Sequence, residues 1–350
     1  MSVATWDPEQ DDTLVCVAVR DETPDVKTFV FAADPPRRFA FQPGQFLTFT
    51  FPVDGRDVPR CYTIASPPTR PDRVAITVKR TADGVVSPWL HGSMKPGVRV
   101  PVAGPMGDFS LALHPEPKYL FLSGGSGVTP LMSMARTVHD LGEGPDLLFV
   151  HSARSPSDII FRRELDILAQ RPGFRAVSVC EGDAPHERWD GHRGRLSLPM
   201  LLLIAPDLAQ RRVFCCGPAP YMAAIRAMLD EAGFDRARYH EESFDFETLS
   251  AAEPEIAAAA AVPAGFSVQF TKSGRSVDCG PATFVLDAAK AAGMKLPSSC
   301  TKGMCGTCKS KLVSGKVDMR HAGGIRQREV DAGMILLCCS RPLGDLVIER

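Results

Sequence analysis

Along the first third of the chain, apolar positions come in short runs broken by Pro, Gly and Asp. Residues 14–20, 26–32, 45–51, 61–66 and 74–80 read as strands. Many short strands without a long helix predict a closed antiparallel β-barrel over residues 1–115. Within it, Gly84-Val-Val-Ser87-Pro88-Trp-Leu90 reads as a helix start, with Ser87 as N-cap and Pro88 in the first helical position. After Lys118 the period changes. Residues 119–122 form a short apolar strand that runs into Ser123-Gly-Gly-Ser-Gly-Val-Thr-Pro130 and then a helical stretch from 131 to about 140. Strands at 147–151, 174–180 and 212–216 alternate with helices at 158–170 and from 219 to about 231, which predicts an α/β parallel sheet over 116–246. Residues 247–264 are alanine-rich and bracketed by prolines, the composition of a linker. From residue 265 a hairpin (266–271 with 275–279), a helix over 283–292 ended by Gly293, and strands at 312–315 and 346–349 predict a β-grasp (α+β) module reaching 350.

A length of 350 residues exceeds what one core supports and agrees with a multidomain chain. Hydrophobic content of 44% and charge of 23% exclude a disordered or fibrous protein. The formal net charge of −1 gives no basis for binding nucleic acid or a membrane surface. That total conceals an asymmetry: residues 265–350 hold thirteen Lys/Arg against seven Asp/Glu, leaving +6 there and −7 on the remainder. The N-terminus is acidic and lacks the apolar core of a signal peptide, and apolar runs such as 200–205 are too short to span a bilayer. A cytoplasmic protein is expected.

The cysteines change the picture most. Of eleven, Cys300, Cys305 and Cys308 form a C-x4-C-x2-C loop, and Cys338 follows after twenty-nine residues. This is the ligand spacing of a plant-type [2Fe–2S] cluster, whereas structural zinc usually takes two short-spaced pairs. Gly303, Gly306 and Thr307 let the loop wrap a cluster and turn amides toward sulfur. Cys339, next to Cys338, leaves a choice of fourth ligand. Cys16, Cys61, Cys180, Cys215, Cys216 and Cys279 lie mostly in apolar, strand-like contexts, and disulfides are not expected. Two further stretches suit phosphates: the helix start at residues 84–90, and the strand–glycine loop–helix carrying Gly124, Gly125 and Gly127. Taken singly, plainer readings stand beside these, with Arg60 a surface charge, Tyr62 a core ring and Ser87 a simple cap.

Together these motifs resemble the ferredoxin–NADP reductase superfamily. Arg60, Tyr62 and Thr63 match its R-x-Y-[ST] motif, residues 104–109 its G-P-x-G-x-F stretch, and Cys216-Gly217-Pro218 its C-G-P motif. The resemblance implies a flavin held by Arg60, Cys61, Tyr62, Thr63 and Ile64 and by the Gly84, Val85, Val86 and Ser87 turn. Arg60 would pair with the pyrophosphate, Tyr62 pack on the flavin, and Thr63 lie near N5. It also implies a nicotinamide held by Gly124, Gly125, Gly127, Thr129, Pro130, Arg154, Cys216, Gly217 and Pro218. The implied catalytic set is Thr63, Cys216, Glu242 and Phe244, with Cys216 beside the hydride path and not a covalent nucleophile. FAD is expected in preference to FMN. Arg154, Arg162 and Arg163 follow the second strand of the sheet, where cations suit a 2′-phosphate and an acid suits a ribose. NADH is the expected coenzyme, with NADPH as the alternative.

A nicotinamide delivers electrons in pairs and a [2Fe–2S] cluster accepts one, so a flavin must convert between them. This order predicts an NAD(P)H-dependent oxidoreductase whose cluster serves an external acceptor. Residues 319–329 and 338–350 are similar to reductase components of Rieske-type oxygenases, in particular those serving glycine-betaine and related quaternary-amine demethylases. The resemblance implies a terminal oxygenase as partner. The basic residues Lys302, Lys309, Lys311, Lys316, Arg320, Arg326 and Arg328 form its expected docking face, on a monomer. Other acceptors fit the same order: a hybrid-cluster protein, an aromatic-ring oxygenase or a hydroxylase. A non-enzymatic redox sensor is disfavoured because no basic DNA-binding or signalling segment is present.

Overall fold

The computed structural model describes residues 3–142, 144–244, 265–294, 296, 298, 301, 303–321 and 323–350. The expected linker at 247–264, Cys300 and Lys302 lie outside the described residues.

The first module contains β1 (Thr13–Thr23), β2 (Val26–Ala33), β3 (Phe46–Val53), β4 (Arg56–Thr63), β5 (Val74–Lys79), α1 (Val86–Ser93) and β6 (Arg99–Met106). The strands are antiparallel in the order β4-β3-β6-β1-β2-β5. The expected closed barrel is an open one, because the ladder stops between β4 and β5. There, past the end of β4, the Ala65 N–H donates to the Ala75 carbonyl at 2.7 Å. Phe29, Phe31, Phe49 and Phe51 are fully buried inside it, each contributing about 2 kcal/mol by burial. β6 escaped the sequence pattern because its Arg-Val-Pro-Val-Ala-Gly-Pro-Met run carries two prolines and a glycine, yet it pairs with both β1 and β3. Ser87 is not an N-cap. It lies within the first turn of α1, and its hydroxyl accepts from the Thr81 N–H at 3.1 Å.

The second module runs β7 (Lys118–Gly124), α2 (Val128–Asp140), β8 (Asp146–Ala153), α3 (Arg162–Leu168), β9 (Phe174–Cys180), β10 (His192–Arg193), α4 (Leu198–Ile204), β11 (Arg212–Gly217), α5 (Ala219–Glu231) and β12 (Tyr239–Ser243). Its sheet is parallel, in the order β10-β9-β8-β7-β11-β12. α3 is shorter than the expected helix over 158–170, because Phe161 takes a left-handed φ of 60° at its start. α2 is buried over most of its surface and is tied to the barrel. Ser133 Oγ donates to the Ser66 carbonyl at 2.9 Å, Arg136 to the Ala65 carbonyl at 2.6 Å, and Arg70 to Asp140 at 2.7 Å.

The third module holds β13 (Phe266–Phe270), β14 (Arg275–Cys279), α6 (Val285–Ala291), β15 (Lys309–Ser314), β16 (Val317–Met319), α7 (Gln327–Asp331), β17 (Met334–Leu336), β18 (Ser340–Pro342) and β19 (Leu346–Glu349). A mixed sheet in the order β14-β13-β19-β15-β17 shares one core with α6, which is the expected β-grasp arrangement. Among the described residues no helix is long and apolar enough to cross a membrane.

Candidate functional site

β4 presents the first cluster of candidate residues. Pairing with β3 sets Arg60 opposite Phe49, Cys61 opposite Thr48, Tyr62 opposite Leu47 and Thr63 opposite Phe46. Arg60 is exposed, its guanidinium donating to the adjacent Pro59 carbonyl at 2.8 Å. The half-buried Tyr62 ring stands edge-on to Phe49 and Phe51, and burial raises its phenol above the usual range. Thr63 and Ile64 are buried at the strand exit. Gly84 precedes α1 where a Cβ would fall 2.2 Å from Thr81 Oγ1, so only glycine fits. Val86 and Ser87 are buried there, while Val85 remains exposed. An exposed cation, a half-buried ring and a helix start fit the phosphate and ring of a flavin.

The second cluster lies at the carboxyl ends of the parallel strands, where such sheets bind ligands. Gly124, Gly125 and Gly127 connect β7 to α2, and a Cβ on Gly127 would meet the Cys216 carbonyl at 2.2 Å. Thr129 closes the turn by donating to the Ser126 carbonyl at 3.2 Å, and Pro130 is buried behind it. Gly217 and Pro218 carry the chain from Cys216 into α5. Strand register puts His151, Ser123, Cys216 and Glu242 in one row across β8, β7, β11 and β12. Ser123 Oγ lies 2.7 Å from His151 Nδ1, and burial lowers His151 to about 4, so its ring is neutral. Cys216 is fully buried and its thiol is raised well above its usual range by burial, which excludes a thiolate nucleophile. Burial, then the carboxylate of Asp108, pushes Glu242 up to about 8. Glu242 Oε2 and His151 Nε2 are shielded from water and have no hydrogen-bond partner among the described residues, which fits a polar ligand at this edge. Phe244 packs on the core that contains Cys216 and Phe109.

Arg154 is ion-paired on both sides. Its guanidinium lies 2.5 Å from Asp158 and 3.2 Å from Asp25 of the barrel. Arg162 is likewise paired with Glu187 at 2.7 Å.

The third cluster is the cysteine loop. Cys305, Cys308 and Cys338 are buried, and the thiols of Cys308 and Cys338 are in hydrogen-bond contact. The Gly303 amide is directed at Cys338, and Thr307 Oγ1 is buried without a partner among the described residues. Gly306 has φ 73°, and a Cβ there would lie 2.7 Å from the Gly324 carbonyl. The Cys339 thiol donates to the Leu336 carbonyl at 3.7 Å and is also in hydrogen-bond contact with Cys338. Among the described residues no three His, Cys, Asp or Glu side chains converge on one metal position. A dinuclear centre does not require that, since its four thiolates divide between two irons. Cys308 and Cys338 would hold one iron, leaving Cys305 and Cys300 for the other.

The expected basic docking face is dispersed. Arg326 is a buried residue whose guanidinium donates to the carbonyls of Asp11 and Val102 in the barrel, at 3.1 and 2.9 Å. Arg328 donates to Asp12 at 3.2 Å, Lys309 to Glu329 at 2.6 Å, and Lys311 to the Ala332 carbonyl. Arg326 therefore belongs to an internal interface and not to an outward surface. Sequence patterns missed Thr48 and His151, which act through partners distant in the chain or on another strand. No local motif marks them.

Three family models match the chain: an oxidoreductase FAD-binding domain over residues 14–111, an oxidoreductase NAD-binding domain over 121–227, and a 2Fe-2S iron-sulfur cluster binding domain over 268–343. The chain is 47% identical over 346 residues to the glycine betaine monooxygenase reductase subunit of Pseudomonas aeruginosa, covering 95% of this chain and 94% of that protein. It is 40% identical over 339 residues to a stachydrine N-demethylase reductase subunit of Rhizobium meliloti, covering 97% and 96%. In fold it is similar to phthalate dioxygenase reductase, with a TM-score of 0.60 and 24% identity over 99% of this chain and 100% of that one.

Proposed function

The chain belongs to the family of oxygenase reductases that join FAD-binding, NAD-binding and [2Fe–2S] modules in one polypeptide, and from that premise we propose its acceptor. It carries electrons from NADH to a Rieske-type terminal oxygenase that demethylates a quaternary amine such as glycine betaine. The supporting observation is the 47% identity to a glycine betaine monooxygenase reductase subunit, which spans the cluster module as well as the flavoprotein part.

When bound, the nicotinamide supplies a hydride, the flavin accepts its electron pair and releases it singly, and the cluster passes single electrons outward. The chain's own residues position these groups. Arg60 meets the flavin pyrophosphate, Tyr62 offers a ring for packing, Thr63 a hydroxyl, and residues 84–87 backbone amides. Gly124, Gly125 and Gly127 allow close approach of a pyrophosphate, while Cys216, Gly217 and Pro218 form the floor beneath the nicotinamide. Glu242 keeps a proton near neutral pH, and Phe244 excludes water beside it. Arg154 supports NADH over NADPH, because Asp158 and Asp25 already neutralise it. The module boundaries are 1–115, 116–246, a linker at 247–264, and 265–350, and the protein acts as a cytoplasmic monomer. Of the basic set, the exposed Lys316 and Arg320, the latter beside Asp318, are the residues offered for docking an acidic partner.

The test is reconstitution with a quaternary-amine Rieske oxygenase, following NADH oxidation coupled to demethylation of glycine betaine. Coupled turnover supports the proposal. NADH-dependent dye reduction without coupled turnover would leave a reductase for a different acceptor. Deleting residues 265–350 should preserve dye reduction and abolish delivery to the oxygenase.

A further inference from the structure

Among the described residues, several polar groups link the barrel to the cluster module. Thr48 is one of them. It lies on β3, and its buried hydroxyl donates to the Cys305 carbonyl at 2.8 Å across 257 residues of sequence. The same oxygen lies 3.4 Å from Cys61 Sγ on β4, its cross-strand neighbour. Cys61 sits between Arg60 and Tyr62, within the strand assigned to the flavin. With the Thr48 hydroxyl donating to the carbonyl, the Cys61 thiol can donate to Thr48 Oγ1. The bridge therefore runs from Cys61 to Thr48 to Cys305, joining the flavin strand to the backbone of a cluster ligand.

Its surroundings give the bridge weight. Beside it the modules do not pack closely: a cavity of about 480 Å³ lies between Gln45, Met106 and Asp108 of the barrel and Met304, Gly324 and Ile325 of the cluster module. Leu47 and Phe49, on either side of Thr48, point into the barrel core, whereas Thr48 points outward and is buried against the other module. Valine would match its shape and β-branching, so packing alone does not call for a hydroxyl.

We propose that Thr48 is a positioning residue for electron transfer between the flavin and the cluster, holding the Cys305 segment in register with β4. No atom crosses the bridge. One electron leaves the reduced donor and one arrives at the oxidised cluster, with no bond formed or broken. Tunnelling weakens steeply with distance, so a hydrogen bond that fixes the ligand backbone sets the rate of this step and leaves hydride transfer untouched.

The inference rests on the nicotinamide–flavin–cluster order, and its test separates the two. Full-length holoproteins carrying Thr48→Val or Thr48→Ser are mixed rapidly with NADH in the absence of oxygen. Flavin bleaching and the paramagnetic signal of the reduced cluster are followed separately. Expected for Thr48→Val is bleaching at the wild-type rate with cluster reduction slowed roughly fivefold to tenfold, the effect of losing one interdomain hydrogen bond, and Thr48→Ser restores it. Backbone amide exchange over residues 303–308 should also quicken in Thr48→Val, with the oxidised-cluster spectrum unchanged. Cluster reduction at the wild-type rate in Thr48→Val overturns the proposal. Equal slowing in Thr48→Ser also overturns it, by marking a packing defect, as does an equal slowing of bleaching. A wild-type flavin that NADH does not bleach would overturn the electron order itself.

Discussion

Cys216 and Glu242 face each other across β11 and β12, paired residue to residue at the carboxyl edge of the parallel sheet. Both are held uncharged near neutral pH, the thiol and the carboxyl each chiefly by burial. Glu242 at about 8 stands above its usual 4.5, so the folded chain keeps a proton that the unfolded chain releases between those values. Its contribution is full below pH 4.5 and is lost as pH rises through 8. Glu242→Gln keeps the shape without the titration. Thermal melts should nearly coincide with wild type at pH 4.5 and lie several degrees higher at pH 8. Parallel pH slopes in the two proteins would show that Glu242 holds no such proton.

Cys338 contacts both Cys308 and Cys339, whereas Cys339 in addition donates to the Leu336 carbonyl. Cys339→Ser should retain the visible spectrum and iron content of the wild type. Cys338→Ser should lose most of both. A stable cluster in Cys338→Ser that disappears only in the double variant would mean that Cys339 can serve as the ligand.

Coenzyme choice should respond to Asp25 and Asp158, which sandwich Arg154. Replacing both with Asn frees a guanidinium at the end of the second strand. The ratio of kcat/KM for NADH over NADPH should fall about tenfold, an effect worth about 1.4 kcal/mol. Steady-state dye reduction with each coenzyme measures it, and an unchanged ratio would place the adenosine ribose elsewhere.

Among the described residues, the buried Arg326 and the half-exposed Arg328 of the cluster module both approach Asp12 beside the barrel. Arg326→Met keeps the aliphatic stem but removes the donors to the Asp11 and Val102 carbonyls, a loss of about 1–3 kcal/mol. The half-exposed Arg328–Asp12 pair should be worth at most about 1 kcal/mol and fade with salt. Protease sensitivity of residues 265–350 in the full-length protein should therefore rise strongly in Arg326→Met and only slightly in Asp12→Asn. Similar sensitivity in both variants would remove Arg326 as the stronger anchor.

Much of this was legible in sequence wherever chemistry is encoded by spacing. The cysteine loop, the glycine turn before α2 and the Cys216-Gly217-Pro218 stretch each declare themselves within ten residues. Elements set by tertiary pairing did not. β6 forms despite two prolines because β1 and β3 supply its partners. Ser87 resembles a cap, yet its hydroxyl is taken by Thr81, and α1 begins at Val86, two residues before Pro88. Basic residues suggested one outward face, but whether an arginine points at a partner or into its own chain depends on what lies opposite. For Arg326 that was Asp11 and Val102, more than two hundred residues away. Thr48 was silent for the same reason.

Asp108 belongs to the stretch that leaves the barrel and Glu242 to the last strand of the sheet, and only their proximity makes each charge felt by the other. Drawing the two modules apart would relieve that repulsion and admit water to the carboxyl, so the proton would be held less tightly. By reciprocity, taking up the proton favours the arrangement in which the two residues lie close, by the same free energy, so the protonation of Glu242 and the packing of the last strand against the barrel stretch are linked.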